Sequence, residues 1–259
     1  MKRSQASIDA RRNEIASLLE LRGHMSIAEL AHHFSVSALT IRRDLDYLEE
    51  NKIASRSYGS ASLLNPMGRP SGSKQVRANK AIARAAALLV QDGDSIFINT
   101  SSTAISMINY IEAEDVTVIT NNRKVSLVEV PSSVSVLLTG GELRPRKSSL
   151  TGELACANIR SVEATKCFLG CSGLSVVRGL NTATPQETAV NALMLEHSRT
   201  HYLLADSSKI GLDTGFAFGT VSEIDMLVTD DRYHADLIES LIEAGMGDVL
   251  RVSMEPMLA

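Results

Sequence analysis

The sequence predicts two domains, a winged helix-turn-helix followed by a Rossmann-like, mainly parallel α/β domain. Three observations predict it. VSALTIRRDL, Val36 to Leu45, follows a short capped helix and precedes an alternating hairpin. NPMGRPSGSK, Asn65 to Lys74, then disfavours helix and strand alike. Beyond it, short apolar runs alternate with helical stretches, the pattern of a parallel sheet crossed by helices.

The first helix is predicted from about Asp9 to Leu21, with Ile15, Leu18 and Leu19 inward and Gly23 placed to end it. Ser26 opens the next, and Glu29, three residues on, completes a capping box. Ile27, Leu30, Ala31 and Phe34 recur at the three-and-four spacing of one helical face. Ser35-Val36-Ser37 breaks that helix: Val36 plugs the corner and Ser37 offers its hydroxyl as the following N-cap. In the helix after the turn Ile41, Leu45 and Leu48 form the inward stripe, which leaves Thr40, Arg42, Arg43 and Tyr47 on flanks open to a partner.

Two helices joined this way place the N-terminal side chains of the second against base edges in the major groove, while hydroxyls and guanidinium groups hold phosphates. Arginine suits both tasks, and the sequence leaves open which of Arg42 and Arg43 reads a base. An isolated Arg-Arg pair reads as a solvated face bonded to Asp46 or Glu49; the cap, the turn and the hairpin decide for a DNA-recognition helix. Ser37, Thr40, Arg42, Arg43 and Tyr47 are therefore candidate contacts with double-stranded operator DNA. The hairpin Ile53 to Leu64, turning at Tyr58-Gly59, is the wing, and its Arg56 is a candidate for the sugar-phosphate backbone. A merely structural hairpin explains its apolar residues equally well.

Arg11 through Leu64 resembles the N-terminal domain of the DeoR family of bacterial transcriptional regulators. The resemblance lies in the arginine-containing first helix, the VSALTIRRDL signature, Leu48-Glu49 and the basic residue before the terminal hairpin. Tyr58-Gly59-Ser60-Ala61 departs from it, since the family usually has a second glycine before the alanine.

The 259 residues divide into a DNA-binding domain at 1–64, a linker at 65–75 and a second domain at 76–259, long enough for a substantial core of its own. The net charge of −4 is uneven: residues 1–60 carry nine Lys/Arg against eight Asp/Glu, the remainder 17 against 22. Only the DNA-facing surface needs to be positive. So small a surplus predicts operator binding by at least two subunits on repeated half-sites, hence a homo-oligomer, dimer or tetramer. No apolar run approaches 18 residues and the polar N-terminus lacks a signal-peptide core, so a cytoplasmic protein with no membrane partner is expected. Cys156, Cys167 and Cys171 have neither paired spacing nor even number, so buried thiols are expected in place of disulfides or a zinc site, and no cofactor is called for.

From Lys74 the pattern turns helical, with Val76, Ile82, Ala86 and Leu89 available to a core before Asp92-Gly93-Asp94. Strands are predicted at Ser95 to Ile98, Val116 to Thr120, Val134 to Thr139, Lys166 to Cys171, His201 to Ala205 and Met226 to Asp230. In such sheets ligands collect at the carboxyl ends of strands, where free amides at helix N-termini attract anions. After the first strand come Asn99 and the hydroxyls of Ser101, Ser102 and Thr103, which read either as a phosphate cradle or as ordinary capping. Other strand ends add Asn121, Gly140-Gly141 with Arg144 close behind, and Asp206 with Lys209. Together they suggest one pocket for a phosphorylated sugar: hydroxyls and Lys209 on the phosphate, Asn99, Asn121 and Asp206 on sugar hydroxyls. Each also has a plain structural reading, Gly140-Gly141 as a turn, Asp206 as a loop cap and Lys209 as a solvated lysine.

Residues from about Lys80 to Val252 resemble the sugar-phosphate sensor domain of the same family, through Asp92-Gly93-Asp94, Thr120-Asn121, Gly140-Gly141, Gly152, Phe168 to Gly170, Ala205 to Lys209 and Thr229-Asp230. The resemblance implies a fold related to ribose-phosphate isomerases and CoA transferases, and a sensor that binds a phosphosugar without turnover. Asn99 and Ser101 stand where the family commonly has an aspartate and the glycine of a Gly-Thr-Thr loop. The alternative, a sugar-phosphate isomerase carrying a DNA-binding appendage, needs a base beside the reacting carbon, and no spacing singles out Asp206, Glu187 or Glu153.

Overall fold

The computed structural model describes residues 5–22, 24–50, 53–57, 59–63, 73–143 and 148–253. Gly23, Tyr58, Arg144 and most of the predicted linker lie outside the described residues. The chain divides into two units, residues 1–76 and 77–259.

In the first unit the apolar spacing builds α1 (Gln5–Arg22), which begins earlier than the predicted Asp9 and buries Ile15, Leu18 and Leu19. A strand that the sequence reading did not foresee, β1 (His24–Ser26), leads into α2 (Ile27–His33). The predicted capping box is present: Ser26 Oγ accepts the Glu29 amide at 3.1 Å, and Glu29 Oε2 accepts the Ser26 amide at 2.7 Å. Ser35, at φ +49°, turns the chain sharply into α3 (Ala38–Glu50), capped by Ser37 Oγ on the Thr40 amide at 3.2 Å. The wing is the antiparallel hairpin β2 (Ala54–Ser57) and β3 (Ser60–Leu63), with Gly59 at φ +82° in its turn. On its other side β3 pairs with β1, Met25 opposite Ala61, both buried. Three residues carry no readable alternation, which is why β1 escaped prediction.

The second unit runs through α4 (Ser73–Ala87), β4 (Ser95–Ile98), α5 (Ser102–Ser106), β5 (Val116–Thr120), β6 (Val134–Leu138), β7 (Glu142–Leu143), β8 (Leu150–Thr151) and α6 (Glu153–Arg160). It continues with β9 (Ala164–Leu169), β10 (Gly173–Ser175), β11 (Gly179–Thr182), α7 (Thr188–Glu196), β12 (Ser198–Leu204), β13 (Phe216–Gly219), β14 (Met226–Asp230), α8 (Ala235–Glu243) and β15 (Asp248–Val252). Seven strands form one parallel sheet in the order β15-β14-β12-β9-β4-β5-β6. Ile96, Phe97 and Ile98 are all buried, so β4 is covered on both faces, which explains the continuous apolar run in its sequence. On one face α6, α7 and α8 bury Ala155, Ile159, Val190, Met194, Ile238 and Leu241 in a core shared with Phe97, Cys167, Leu169, Leu203 and Leu227.

The six predicted strands are present within a few residues of their predicted limits. The small antiparallel sheet β10-β11-β13, the β7-β8 pair and the edge strand β15 were not anticipated. Strand order reverses at β4: the chain runs outward through β5 and β6, then returns to place β9 on the other side of β4. The ends of β4 and β9 therefore flank the topological switch point, where open sheets leave a crevice.

Candidate nucleic-acid interface and ligand site

On α3, Ile41, Leu45 and Leu48 are buried together with Asp44, which is only 2% exposed. A carboxylate so buried requires cations. Arg11 Nε donates to Asp44 Oδ2 at 2.6 Å and Arg12 Nε to Oδ1 at 3.2 Å, so α1 fastens the recognition helix by two arginines. The Arg12 guanidinium also lies over the Tyr47 ring, 3.8 Å from its centroid. The apolar stripe of α3 does not announce this clamp, although Asp44 has the stripe's spacing.

Arg42 and Arg43 are exposed, and among the described residues neither forms an ion pair or a side-chain hydrogen bond. Asp46 and Glu49, the carboxylates of the solvated-face alternative, are engaged by Arg56 instead. Arg56 Nη1 lies 2.7 Å from Asp46 Oδ1, and its Nη2 and Nε donate to Glu49 Oε2 at 2.8 and 3.0 Å. Hydrogen bonds from Arg56 hold the Glu49 carboxyl below its ordinary range. The Arg56 expected to lie on the sugar-phosphate backbone is thus occupied within the unit. Ser37 and Thr40 hydroxyls lie 2.9 Å apart at the helix start, and Tyr47 is screened on one face by Arg12.

In the second unit Asn99, Ser101, Ser102 and Thr103 follow β4, Asn121 follows β5, Gly140-Gly141 follows β6, and Asp206 and Lys209 follow β12. Adjacent strands are about 4.8 Å apart, so these ends all lie within roughly 10 Å of the end of β4. Their roles divide. Asn99 is buried and consumed by the scaffold: Nδ2 donates to Gly170 O at 2.9 Å, and Oδ1 accepts the amides of Gly170 at 3.0 Å and Ser101 at 3.2 Å. Asn99 thereby bridges the switch point. Ser101 is the N-cap of α5, accepting the Ala104 amide at 3.2 Å, and its side chain fills the space where Gly170 would carry a Cβ. Ser102 and Thr103 keep hydroxyls without a described partner.

Asn121 is fully buried; its Nδ2 donates to Leu150 O at 3.2 Å, whereas its Oδ1 has no partner among the described residues. A buried acceptor left unmet costs about 1–3 kcal/mol. Gly141, at φ +107°, approaches β8 so closely that a Cβ would lie 2.5 Å from Thr151 O, which gives Gly140-Gly141 the structural reading of a turn. Asp206 Oδ1 accepts the Ser208 amide at 3.0 Å and caps its loop, and Lys209 Nζ donates to Cys171 O at 3.3 Å.

Asp230, fully buried at the end of β14, anchors that loop by accepting the Ser207 amide at 2.7 Å, the Ser207 hydroxyl at 3.0 Å and Arg232 Nε at 2.7 Å. Burial pushes its carboxyl up, but these hydrogen bonds outweigh it and hold the group below its ordinary value. Asn191, whose Oδ1 lies 3.4 Å from Asn99 Nδ2, is a second supporting residue that no local pattern announced. Among the described residues no cluster of His, Cys, Asp or Glu is arranged to hold a metal, and all three cysteines are free thiols, Cys156 and Cys167 buried and Cys171 partly so. No described helix is long and apolar enough to cross a membrane.

Residues 11–67 match the DeoR-like helix-turn-helix domain and residues 74–231 the DeoR C terminal sensor domain. The HTH-type transcriptional regulator YulB of Bacillus subtilis (strain 168), itself uncharacterized, is 33% identical over 237 residues, 89% of this chain and 92% of that protein. The glycerol-3-phosphate regulon repressor of Escherichia coli (strain K12) is 31% identical over 229 residues, 85% of this chain and 90% of that one. A solved D-ribose-5-phosphate isomerase in complex with phospho-erythronic acid is 14% identical and aligns over 51% of this chain and 52% of that one at a TM-score of 0.38, a likeness too distant to argue from. Two domain matches in the family's order, and relatives aligned along most of their length, place the chain in the DeoR family of transcriptional regulators.

Proposed function

We propose that this regulator represses a carbohydrate-use operon and that a phosphorylated sugar, bound at the strand ends around β4, controls its operator affinity. The observation that carries this reading is the pairing, in one chain, of an outward Arg42-Arg43 helix with a switch-point site whose unmet groups suit a polyol phosphate. Those groups are the hydroxyls of Ser102 and Thr103 and the buried Asn121 Oδ1, with the Lys209 ammonium nearby. The glycerol-3-phosphate repressor among the relatives supports the same class of effector.

Binding without turnover fits the carboxylates. Glu153 is exposed and paired with Arg160 at 2.8 Å, Glu187 accepts Thr182 Oγ1 at 3.0 Å, and Asp206 is turned to its own loop. None is held free beside Ser102 and Thr103 as a general base must be. Two or more copies acting in the cytoplasm on repeated half-sites complete the reading, because one helix-turn-helix reads only a few base pairs.

Calorimetric titration tests the effector claim. Phosphosugars should bind, their unphosphorylated counterparts should not, and Lys209→Ala combined with Thr103→Ala should weaken binding by at least about tenfold, the loss of one charge-assisted bond and one hydrogen bond. Equal affinity for a sugar and its phosphate would contradict the phosphate assignment.

A further inference from the structure

The recognition helix has the wrong formal charge for its task. α3 carries Arg42 and Arg43 but also Asp44, Asp46, Glu49 and Glu50, a net of −2. A polyanion repels such a surface unless the carboxylates are covered. Three of the four are covered, each by arginine from another element: Asp44 by Arg11 and Arg12 of α1, and Asp46 and Glu49 by Arg56 of the wing. All three guanidinium nitrogens of Arg56 point at these carboxylates, and its backbone amide donates to Glu49 Oε1 at 3.2 Å. What remains uncovered toward the N-terminal half of the helix is the Arg42-Arg43 pair.

We propose that Arg56 supports DNA binding by neutralising Asp46 and Glu49 on the recognition helix, and not by contacting a phosphate itself. The inference rests on the reading of α3 as the DNA-facing helix. Arg56, Asp46 and Glu49 are all partly exposed, and such pairs contribute only about 0–1 kcal/mol to folding, so their purpose is poorly explained by stability. Their effect on DNA is larger, because freeing two carboxylates beside the groove sets like charge against the phosphates.

The test uses the full chain and a duplex enriched by the wild-type protein from a random-sequence pool. Arg56→Gln should weaken binding about tenfold at low salt, a deficit that shrinks as salt screens the two freed carboxylates. Adding Asp46→Asn and Glu49→Gln to it should return affinity to within about threefold of wild type, since no carboxylate is then left to neutralise. A triple variant whose salt slope stays shallower than wild type by about one, the signature of a lost phosphate contact, would overturn the inference. So would a triple variant as weak as Arg56→Gln, or an Arg56→Gln protein that binds as wild type. Thermal unfolding accompanies each variant; if Arg56→Gln does not fold, the triple variant alone carries the test, wild-type affinity and slope counting for the inference and a weaker affinity with a shallower slope against it. Failure of the wild-type protein to enrich any duplex would defeat the DNA-facing reading of α3, and this inference with it; the Arg56 outcomes bear on the inference alone.

Discussion

Asn99 and Gly170 bind each other in both directions across the switch point: the Asn99 amide group donates to the Gly170 carbonyl at 2.9 Å while its oxygen accepts the Gly170 amide at 3.0 Å. Only a side chain with both a donor and an acceptor can do this. Asn99→Asp retains the acceptor and loses the donor, leaving Gly170 O unpaired and a carboxylate facing Asn191 Oδ1. A loss of about 1–3 kcal/mol is expected, read as a lower urea midpoint for the sensor unit. An unchanged midpoint would show that the bridge contributes nothing.

Asp44 should matter more than its surface neighbours. Removing one partner of a buried ion pair costs about 3–5 kcal/mol, and Arg11 and Asp44 are both buried. Asp44→Asn should therefore lower the calorimetric transition of the first unit and abolish DNA binding while phosphosugar binding persists. Retention of both the transition and DNA affinity would refute the clamp.

Arg43→Ala removes a cation that no described residue requires for folding. Sequence preference among duplexes should fall, and the unfolding free energy should stay within the scatter of surface substitutions, about ±0.5 kcal/mol. Persistence of the wild-type sequence preference would transfer the reading role away from Arg43.

Acid should destabilise the sensor unit through Asp94 and Asp230. Burial raises both carboxyls, but hydrogen bonds from Lys166, Thr165 and the Gln91 amide on Asp94, and from Ser207 and Arg232 on Asp230, bring each below its ordinary 3.8. Groups depressed on folding stabilise the native state above their unfolded pKa, and that contribution is lost as pH falls through the folded value. Unfolding free energy should thus be level near neutrality and fall below about pH 4, with a shallower fall in Asp230→Asn. Identical acid profiles for the variant and wild type would remove Asp230 from the account.

Burial pushes the Cys167 thiol up to about 12, so it stays protonated at neutral pH. Iodoacetamide at pH 8 should modify it only after urea unfolding, as peptide mapping would show. Rapid labelling of Cys167 in the native protein would contradict its burial.

How much the sequence disclosed follows from where each residue's partners lie. The central strands were legible because burial on both faces writes an uninterrupted apolar run, as in Ser95 to Ile98, and the capping box at Ser26 was legible because both partners lie within four residues. The sheet β10-β11-β13 was hidden by short glycine-containing strands and by pairings as distant as Asn181 with Ala217. In the site, the hydroxyls of Ser102 and Thr103 have no partner among the described residues, and their sequence reads either as a cradle or as capping. The bond from Asn99 to Gly170 was hidden because Gly170, 71 residues away, leaves no mark near it. The partners of Asp44 and Arg56 were hidden for a related reason: a charged side chain's partner is fixed by packing, so a surface arginine and one bonded to two carboxylates look alike in a string of letters.

The central claim is that phosphosugar occupancy sets DNA occupancy, and fluorescence anisotropy of a labelled operator duplex titrated with the full chain measures it directly. With saturating effector the operator affinity should change by roughly 5–150-fold, and saturating duplex should change the phosphosugar affinity by the same factor, as linkage requires. Operator affinity that stays constant across a panel of phosphosugars that bind would contradict the account.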